Sequence, residues 1–233
     1  MRVNLGIFVV VGALSVAPGV GFANGGGSMG GGSSSTGSAG SSFSRTPEDV
    51  AKDAYNSGVR SIKKAKDYES DAAKASNEEK RSKALDKAHK YYSEALPKFI
   101  EAVSQQPTMY QAWNYIGFAN RHLGNYDAAL SAYAKALDLN PAYLDAVEYR
   151  AEAYLGLNKL PEAKDAYMTL FRDSRGLADQ LMTAMRQWTD ARRKDAQGLP
   201  AEDIEAFSKW VDERSGVAAQ TASLGKDAPP NWK

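Results

Sequence analysis

The feature that most constrains the fold is an internal repeat with a period of about 34 residues. When the sequence is shifted by this period, small residues align with small residues and aromatic residues with aromatic residues. The clearest columns are Ala95, Ala129, Ala163 and Phe99, Tyr133, Tyr167. Such a period indicates units that bury their apolar faces only against their neighbours, so the sequence predicts a stack of similar units.

The residues between these columns predict α-helices. After Thr46 no segment alternates apolar and polar residues as a half-buried strand does, and alanine, lysine, leucine and glutamate dominate. Thr46 is a suitable N-cap, Pro47 a suitable first helical residue, and Glu48 and Asp49 favour the opening turn. The chain from Thr46 onward is therefore expected to be all-α.

Seven residues of one unit resemble the signature of the tetratricopeptide repeat, a helix-turn-helix unit with this same period. They are Trp113, Ile116, Gly117, Ala129, Tyr133, Ala136 and Pro141. Gly117 and Ala129 are small where two antiparallel helices must approach closely. Gly124 and Asn125 can end the first helix in the left-handed conformation, and Pro141 ends the second. The resemblance implies hairpins stacked in a short right-handed solenoid, with an elongated first hairpin and a C-terminal capping hairpin.

This reading divides the chain into four parts, one of which is subdivided. They are a signal peptide (1–23), a Gly/Ser-rich linker (24–45), the tetratricopeptide-repeat domain (46–214) and a C-terminal tail (215–233). Within the domain, the predicted units are the elongated first hairpin (46–109), two repeats (110–143 and 144–177) and a degenerate capping hairpin (178–214). Pro97 should bend or delay the second helix of the first hairpin. Its two long charged helices, meeting around residues 76–79, should project beyond the stack.

The N-terminal segment predicts export. Residues 1–23 carry one charge, Arg2, followed by an apolar run that ends with the small-x-small pattern of Gly21, Phe22 and Ala23, which is typical of a signal peptide cleaved after Ala23. An uncleaved membrane anchor is the alternative. Lipidation would need a cysteine, and the sequence has none. A periplasmic or secreted protein is expected, without a stable membrane span after cleavage.

Charge and composition exclude several classes of function. Without Arg2, 28 of the 29 basic residues remain against 28 acidic residues, and this balance gives no support for nucleic acid as a partner. The absence of cysteine removes disulfides, thiol catalysis and Cys-based zinc sites. His89 and His122 are the only histidines, and neither has the spacing of a zinc helix, so both are expected to be surface residues. No enzyme activity, cofactor or metal is predicted.

The most promising site lies on the first helix of each hairpin, on the face that the packing residues do not occupy. In the tetratricopeptide family these helices line the concave side of the stack. The face carries Asn114, Phe118 and Arg121 in one unit and Asp145, Glu148 and Glu152 in the next. This combination suits an extended segment with basic and apolar side chains. The alternative, that Phe118 packs on a neighbouring helix, stays open, and the sign of Glu148 and Glu152 argues against capture of a C-terminal carboxylate.

The resulting hypothesis is an exported adaptor or scaffold that binds a protein or peptide partner in the concave groove. A self-assembling structural protein of the envelope is the alternative, and an enzyme or ligand carrier is a weaker one. The sequence names neither the partner nor the oligomeric state.

Overall fold

The computed structural model describes residues 45–224, which form eight α-helices and no strand within that range. The helices are α1 (Pro47–Ala73), α2 (Glu78–Gln105), α3 (Tyr110–His122), α4 (Tyr126–Leu139), α5 (Leu144–Gly156), α6 (Leu160–Asp173), α7 (Arg175–Lys194) and α8 (Ala201–Leu224). The all-α prediction is confirmed. Helices α3 and α4 recur one repeat period later as α5 and α6, with the same lengths.

The helix ends follow the local sequence. Thr46 caps α1: its hydroxyl accepts from the Asp49 amide at 3.1 Å, and the Asp49 carboxylate accepts from the Thr46 amide at 3.3 Å. Such a capping box satisfies two donors that a helix start leaves unpaired. After α3, Gly124 has the expected left-handed backbone (φ 79°). The equivalent position after α5 is Asn158, which also has positive φ (58°), whereas Asn125 does not (φ −85°).

The helices pair into four hairpins, α1–α2, α3–α4, α5–α6 and α7–α8, and each hairpin contacts the next. The first helices of successive hairpins also touch, α3 with α5 and α5 with α7. We call the layer formed by α1, α3, α5 and α7 the first-helix layer, and the layer formed by α2, α4, α6 and α8 the second-helix layer.

Glycine and aromatic residues face each other inside the hairpins. A Cβ atom on Gly117 would lie 2.5 Å from Cε1 of Tyr133, and one on Gly58 would lie 2.7 Å from Cε1 of Phe99. Tyr133 and Phe99 are fully buried. The close approach predicted at Gly117 is therefore present, and Gly58 marks the same position in the first hairpin.

The capping hairpin shares an apolar core with α5 and α6. Trp188 of α7 is buried, packs edge-on against Phe207 of α8 at 5.1 Å between ring centroids, and donates its indole N–H to the Leu155 carbonyl at 2.7 Å. Because Leu155 belongs to α5, this bond ties the cap to the preceding repeat. The apolar stripes expected on α7 and α8 are thus largely in the core.

The structure differs from the predicted elements in two places. Helix α2 runs without interruption through Pro97, because the proline lies on an exposed side of the helix and the apolar face of α2 packs against α1 and α3. Helix α8 continues to Leu224, past the predicted domain end at 214, so the first part of the predicted tail is helical.

The predicted signal peptide at 1–23, nearly all of the predicted linker at 24–45 and residues 225–233 lie outside the described residues. Within residues 45–224 no helix is long and apolar enough to cross a membrane.

Candidate functional site on the first-helix layer

The structure brings the six predicted groove residues together on α3 and α5, but it buries five of them. The exposed fraction is 1% for Asn114 and Glu148, 3% for Phe118, 8% for Arg121 and 9% for Glu152, while Asp145 is half-buried. The expectation that these side chains are presented to solvent is therefore wrong for all but Asp145. Neighbouring first helices lie so close that they enclose the face between them.

Phe118 belongs to an aromatic cluster between α1, α2, α3 and α5. Its ring centroid lies 4.4 Å from that of His122, 5.0 Å from that of Tyr149 and 6.0 Å from that of Tyr92. The Lys66 ammonium of α1 lies 4.8 Å from the centre of the Phe118 ring. Of the two alternatives for Phe118, the structure shows packing on neighbouring helices.

The charged residues of the predicted groove form a buried ion cluster. Arg121 of α3 pairs with Glu152 of α5, and both side chains are more than nine-tenths buried. Burial raises the pKa of Glu148 well above its usual range, the Glu152 charge and a hydrogen bond with Glu152 raise it further, and Arg121 opposes both. The Glu148 carboxyl therefore favours its protonated form beside the Arg121–Glu152 pair, and the solvated acidic face expected from the sequence is not present.

A second polar group joins the first hairpin to this cluster. Glu69 of α1 accepts from the Tyr92 hydroxyl of α2 at 2.9 Å and lies 2.8 Å from Nδ1 of His122. Burial lowers the pKa of His122, against the effect of Glu69. Burial would raise the pKa of Glu69, but His122, Tyr92 and Arg121 outweigh it and lower that pKa. The pairing fits an ionised Glu69 accepting from a neutral imidazole, so the expectation of a surface residue is wrong for His122.

The part of this layer that remains accessible is rich in tyrosine. Tyr55 of α1, Tyr110 and Tyr115 of α3, and Tyr143 at the start of α5 are all half-buried. Ring centroids lie 5.7 Å apart for Tyr55 and Tyr115 and 5.0 Å apart for Tyr110 and Tyr143. We call these four side chains together with Asp145 the tyrosine patch. Asn114 lies beneath it and donates from Nδ2 to the Tyr143 hydroxyl at 3.4 Å.

The tyrosine patch is acidic and aromatic in character. Burial raises the pKa of Tyr143, and Asp145 and the neighbouring tyrosines raise it further. Burial also raises the pKa of the Asp145 carboxyl. The charged and polar groups that raise the pKa of Tyr143 are thus a carboxylate and other phenols. A cation bound beside them would have the opposite effect on this pKa.

Sequence analysis missed Tyr55 because it considered only the helices α3 and α5. A signal was present, since Tyr55 precedes Gly58 by three residues, as Asn114 precedes Gly117. Two glycines in equivalent contacts place Tyr55 and Asn114 at equivalent positions of successive first helices.

The described residues hold no group of three or more His, Asp or Glu side chains arranged for a metal ion. The residues of the ion cluster and of the Glu69–His122 pair bond to one another across α1, α3 and α5. Its geometry suits holding helices at fixed spacing, while the tyrosine patch offers aromatic faces and a carboxylate to a partner.

Comparison with known proteins agrees with this architecture. Two profiles described as tetratricopeptide repeat match the chain, one over residues 80–143 and the other over 121–192. A yeast protein, small glutamine-rich tetratricopeptide repeat-containing protein 2 of Saccharomyces cerevisiae, is 31% identical over 194 residues, which is 81% of this chain and 51% of that protein.

Superkiller complex protein 3 is also similar in sequence. The human protein is 32% identical over 124 residues, 52% of this chain, and the mouse protein is 35% identical over 107 residues, 46% of this chain. The matched regions amount to 8% and 7% of those proteins. The chain thus spans about half of the yeast relative and a small fraction of the other two.

The fold and the accessible patch define a helical-repeat protein, in which hairpins of similar size stack in sequence order. Residues 80–192 match the tetratricopeptide repeat, and the eight helices of the described part are consistent with a solenoid of such repeats. Such repeats generally mediate protein–protein interaction and are typically found in non-enzymatic adaptors.

Proposed function

We propose that this protein is an exported adaptor that binds an extended protein segment at the tyrosine patch. The observation that carries the proposal is the cluster of four half-buried tyrosines and one carboxylate on the first-helix layer. Tyrosine supplies a large contact area at a low cost in side-chain entropy, and buried aromatic anchors dominate binding energy at protein interfaces.

The chemistry of the patch favours a partner segment with a lysine or arginine. The electron-rich faces of the tyrosine rings attract a cation, and Asp145 provides an opposite charge beside them. A half-buried carboxylate that loses further water on binding gains most from a hydrogen-bonded cation. The partner proposed from the sequence, a basic and apolar segment, is retained, but its binding site moves towards Asp145 and the tyrosines.

Asn114, Phe118, Arg121, Glu148 and Glu152 have a supporting role in this proposal. The Arg121–Glu152 pair joins α3 to α5, and the Glu69–His122 pair joins α1 to α3. These links hold the three helices that carry the patch, so the tyrosines are positioned before the partner arrives. A preorganised site loses less entropy on binding.

The test uses the full chain as bait in its native compartment, with a photo-reactive amino acid at Tyr110 and quantification of the cross-linked partner. Asp145→Lys should reduce the cross-linked partner at least about tenfold, the equivalent of about 1.4 kcal/mol. The matched control is Glu101→Lys, the same charge change at an exposed position of α2, which should leave capture unchanged. Equal capture by all three chains would show that the patch is not the binding site.

Export is part of the proposal and needs its own test. It is supported by the single charge and apolar run of residues 1–23. Intact-mass measurement of the protein recovered from the envelope or medium should give a chain that begins at Asn24. A chain that keeps residues 1–23 and fractionates with the cytoplasm would contradict export without affecting the tyrosine patch.

A further inference from the structure

The second-helix side of the solenoid carries a groove that the adaptor function does not use. The groove lies between α4 and α6 with α5 as its floor, and it encloses about 520 Å³. Its apolar lining includes Leu137, Pro141, Val147 and Tyr154. We call it the outer groove.

The outer groove exists because one large residue of the repeat is missing. One repeat period earlier, the position of Val147 corresponds to Trp113, that of Ala134 to Ile100 and that of Pro141 to Pro107. In the earlier repeat the Trp113 indole packs in this space and donates its N–H to the Pro107 carbonyl at 2.9 Å. In the later repeat the smaller Val147 leaves the corresponding space open beside Pro141.

The rim of the outer groove is more negatively charged than the equivalent surface one repeat earlier. Asp138, Glu162 and Asp165 line it, and the corresponding residues one repeat earlier are Ser104, Ala128 and Ser131. Arg150 is the single basic residue of the lining and replaces Ile116. Its guanidinium lies 6.0 Å from the Tyr154 ring centre, and its buried Nε has no hydrogen-bond partner among the described residues. The groove therefore fits an aromatic ring followed by a cation.

The chain itself contains such a segment just beyond α8. Residues 229–233 read PPNWK, with Trp232 directly followed by Lys233. Helix α8 ends at Leu224, and near its end Thr221 accepts a hydrogen bond from Arg175 at the start of α7. Arg175 lies at the connection from α6 to α7. Pro141 lies in the equivalent connection from α4 to α5. Helix α8 thus ends on the same side of the stack as Pro141 of the outer groove.

The distance is within reach of the segment. Trp232 is the eighth residue after Leu224, and an extended chain spans roughly 3.3–3.6 Å per residue, or about 27 Å in total. Packed helix axes lie about 8–10 Å apart. This length exceeds the spacing of two neighbouring pairs of helices, so the segment is long enough to pass α6 and reach the groove between α6 and α4.

We propose that Trp232 occupies the outer groove of its own chain and supplies the indole that the repeat lacks at Val147. The ring packs on Val147 and against the planar guanidinium of Arg150, and the indole N–H donates to the Pro141 carbonyl as Trp113 does to Pro107. Lys233 lies beside the carboxylates of the rim. The C-terminal segment thereby completes the packing between the third and second hairpins.

The test is ¹⁹F NMR of the full chain labelled with 5-fluorotryptophan. The chain has four tryptophans, so four signals are expected, and Trp232→Phe identifies the signal of Trp232. A soluble gadolinium chelate should broaden this signal several-fold less than that of free 5-fluorotryptophan added as a standard. Val147→Phe, which fills the groove, should make it as sensitive as the standard.

A charge reversal provides a second variant that leaves the apolar lining intact. Asp165→Lys should release Trp232 to the gadolinium chelate, whereas Ser131→Lys, the corresponding exposed position one repeat earlier, should not. A Trp232 signal that broadens like the free standard in the unaltered chain overturns the proposal. Protection that appears only as the concentration rises, with a doubled mass in light scattering, also overturns it in favour of a second copy.

Discussion

At the scale of single residues, this fold depends on where side chains are absent. The Gly117 Cα lies against the Tyr133 ring, and the hairpin cannot bring α3 and α4 to this distance with a larger residue. The sequence predicted this contact because a glycine one helical turn after Trp113 and an aromatic residue in the next helix are both part of the repeat pattern.

Replacing Gly117 by alanine should destabilise the protein by about 1–3 kcal/mol, because the new Cβ would meet a buried ring that cannot move aside. Urea unfolding followed by circular dichroism measures the change. Gly176→Ala is the control, since nothing lies within 4 Å of a Cβ there. It should be neutral or slightly stabilising through helix propensity. An equal effect of the two substitutions would disprove the tight contact.

The buried carboxyl of Glu148 should make stability depend on pH. Its pKa is raised in the folded chain above the usual 4.5, first by burial and then by Glu152, so the folded state keeps a proton that the unfolded state releases. The resulting contribution to stability is complete below pH 4.5 and is lost as the pH rises through the folded-state pKa.

Glu148→Gln keeps the size of the side chain and removes the titration. Its free energy of unfolding should match that of the unaltered protein near pH 4 and exceed it increasingly at higher pH. Urea midpoints between pH 4 and 8 measure this difference, with Glu101→Gln on the exposed side of α2 as control. Parallel profiles for Glu148→Gln and the unaltered chain would contradict a raised pKa of Glu148 in the folded state.

At the scale of helices, buried polar pairs decide how neighbouring hairpins align. Arg121 and Glu152 join α3 to α5, and Glu69 and His122 join α1 to α3. The sequence placed the groove residues correctly on two helices, but it treated their charges as solvated. Only the contact between successive first helices encloses them, and that contact involves residues far apart in the chain.

Removing one partner of the Arg121–Glu152 pair should be costly. Arg121→Met should lower the free energy of unfolding by about 3–5 kcal/mol, because the Glu152 carboxylate stays buried without the cation that it pairs with. Adding Glu152→Gln should recover most of this loss. The control is Lys83→Met, which breaks an exposed pair with Glu79 and should cost less than about 1 kcal/mol. Failure of the double variant to recover would mean that Arg121 acts mainly through its packing.

At the scale of the whole molecule, stability should be transmitted from one hairpin to the next. Among the described residues, the main helix contacts lie within a hairpin or between neighbouring hairpins, so damage to the cap should decay with distance along the solenoid. The first hairpin pairs helices of 27 and 28 residues, the longest hairpin of the described residues, and shares a buried core with the second hairpin. It is expected to be the most persistent unit.

Trp188→Phe tests this transmission, because it removes the indole bond to the Leu155 carbonyl, which keeps its bond from the Asn158 amide, at a cost of about 1 kcal/mol. Amide hydrogen exchange should accelerate in α7 and α8, less in α5, and least in α1 and α2. Trp210→Phe, at a half-buried ring of α8, should have a smaller effect. Uniform acceleration across all eight helices would instead show that the solenoid unfolds as one unit.

The sequence by itself determined the helices and their order. The repeat period, the cap at Thr46 and the small residues at Gly117 and Ala129 act over a few turns of chain, and such local preferences can be read without a structure. Pro97 and the end of α8 were less predictable, because the continuity of a helix there depends on which side of it is packed.

Only the tertiary structure decided which side chains are accessible. Arg121, Glu148 and Glu152 read as a solvated groove in the sequence, yet successive first helices enclose them and leave Asp145 and four tyrosines at the surface. The physical reason is that burial depends on the distance between helices of different hairpins. That distance is set by packing in three dimensions, which a pattern along the chain does not contain.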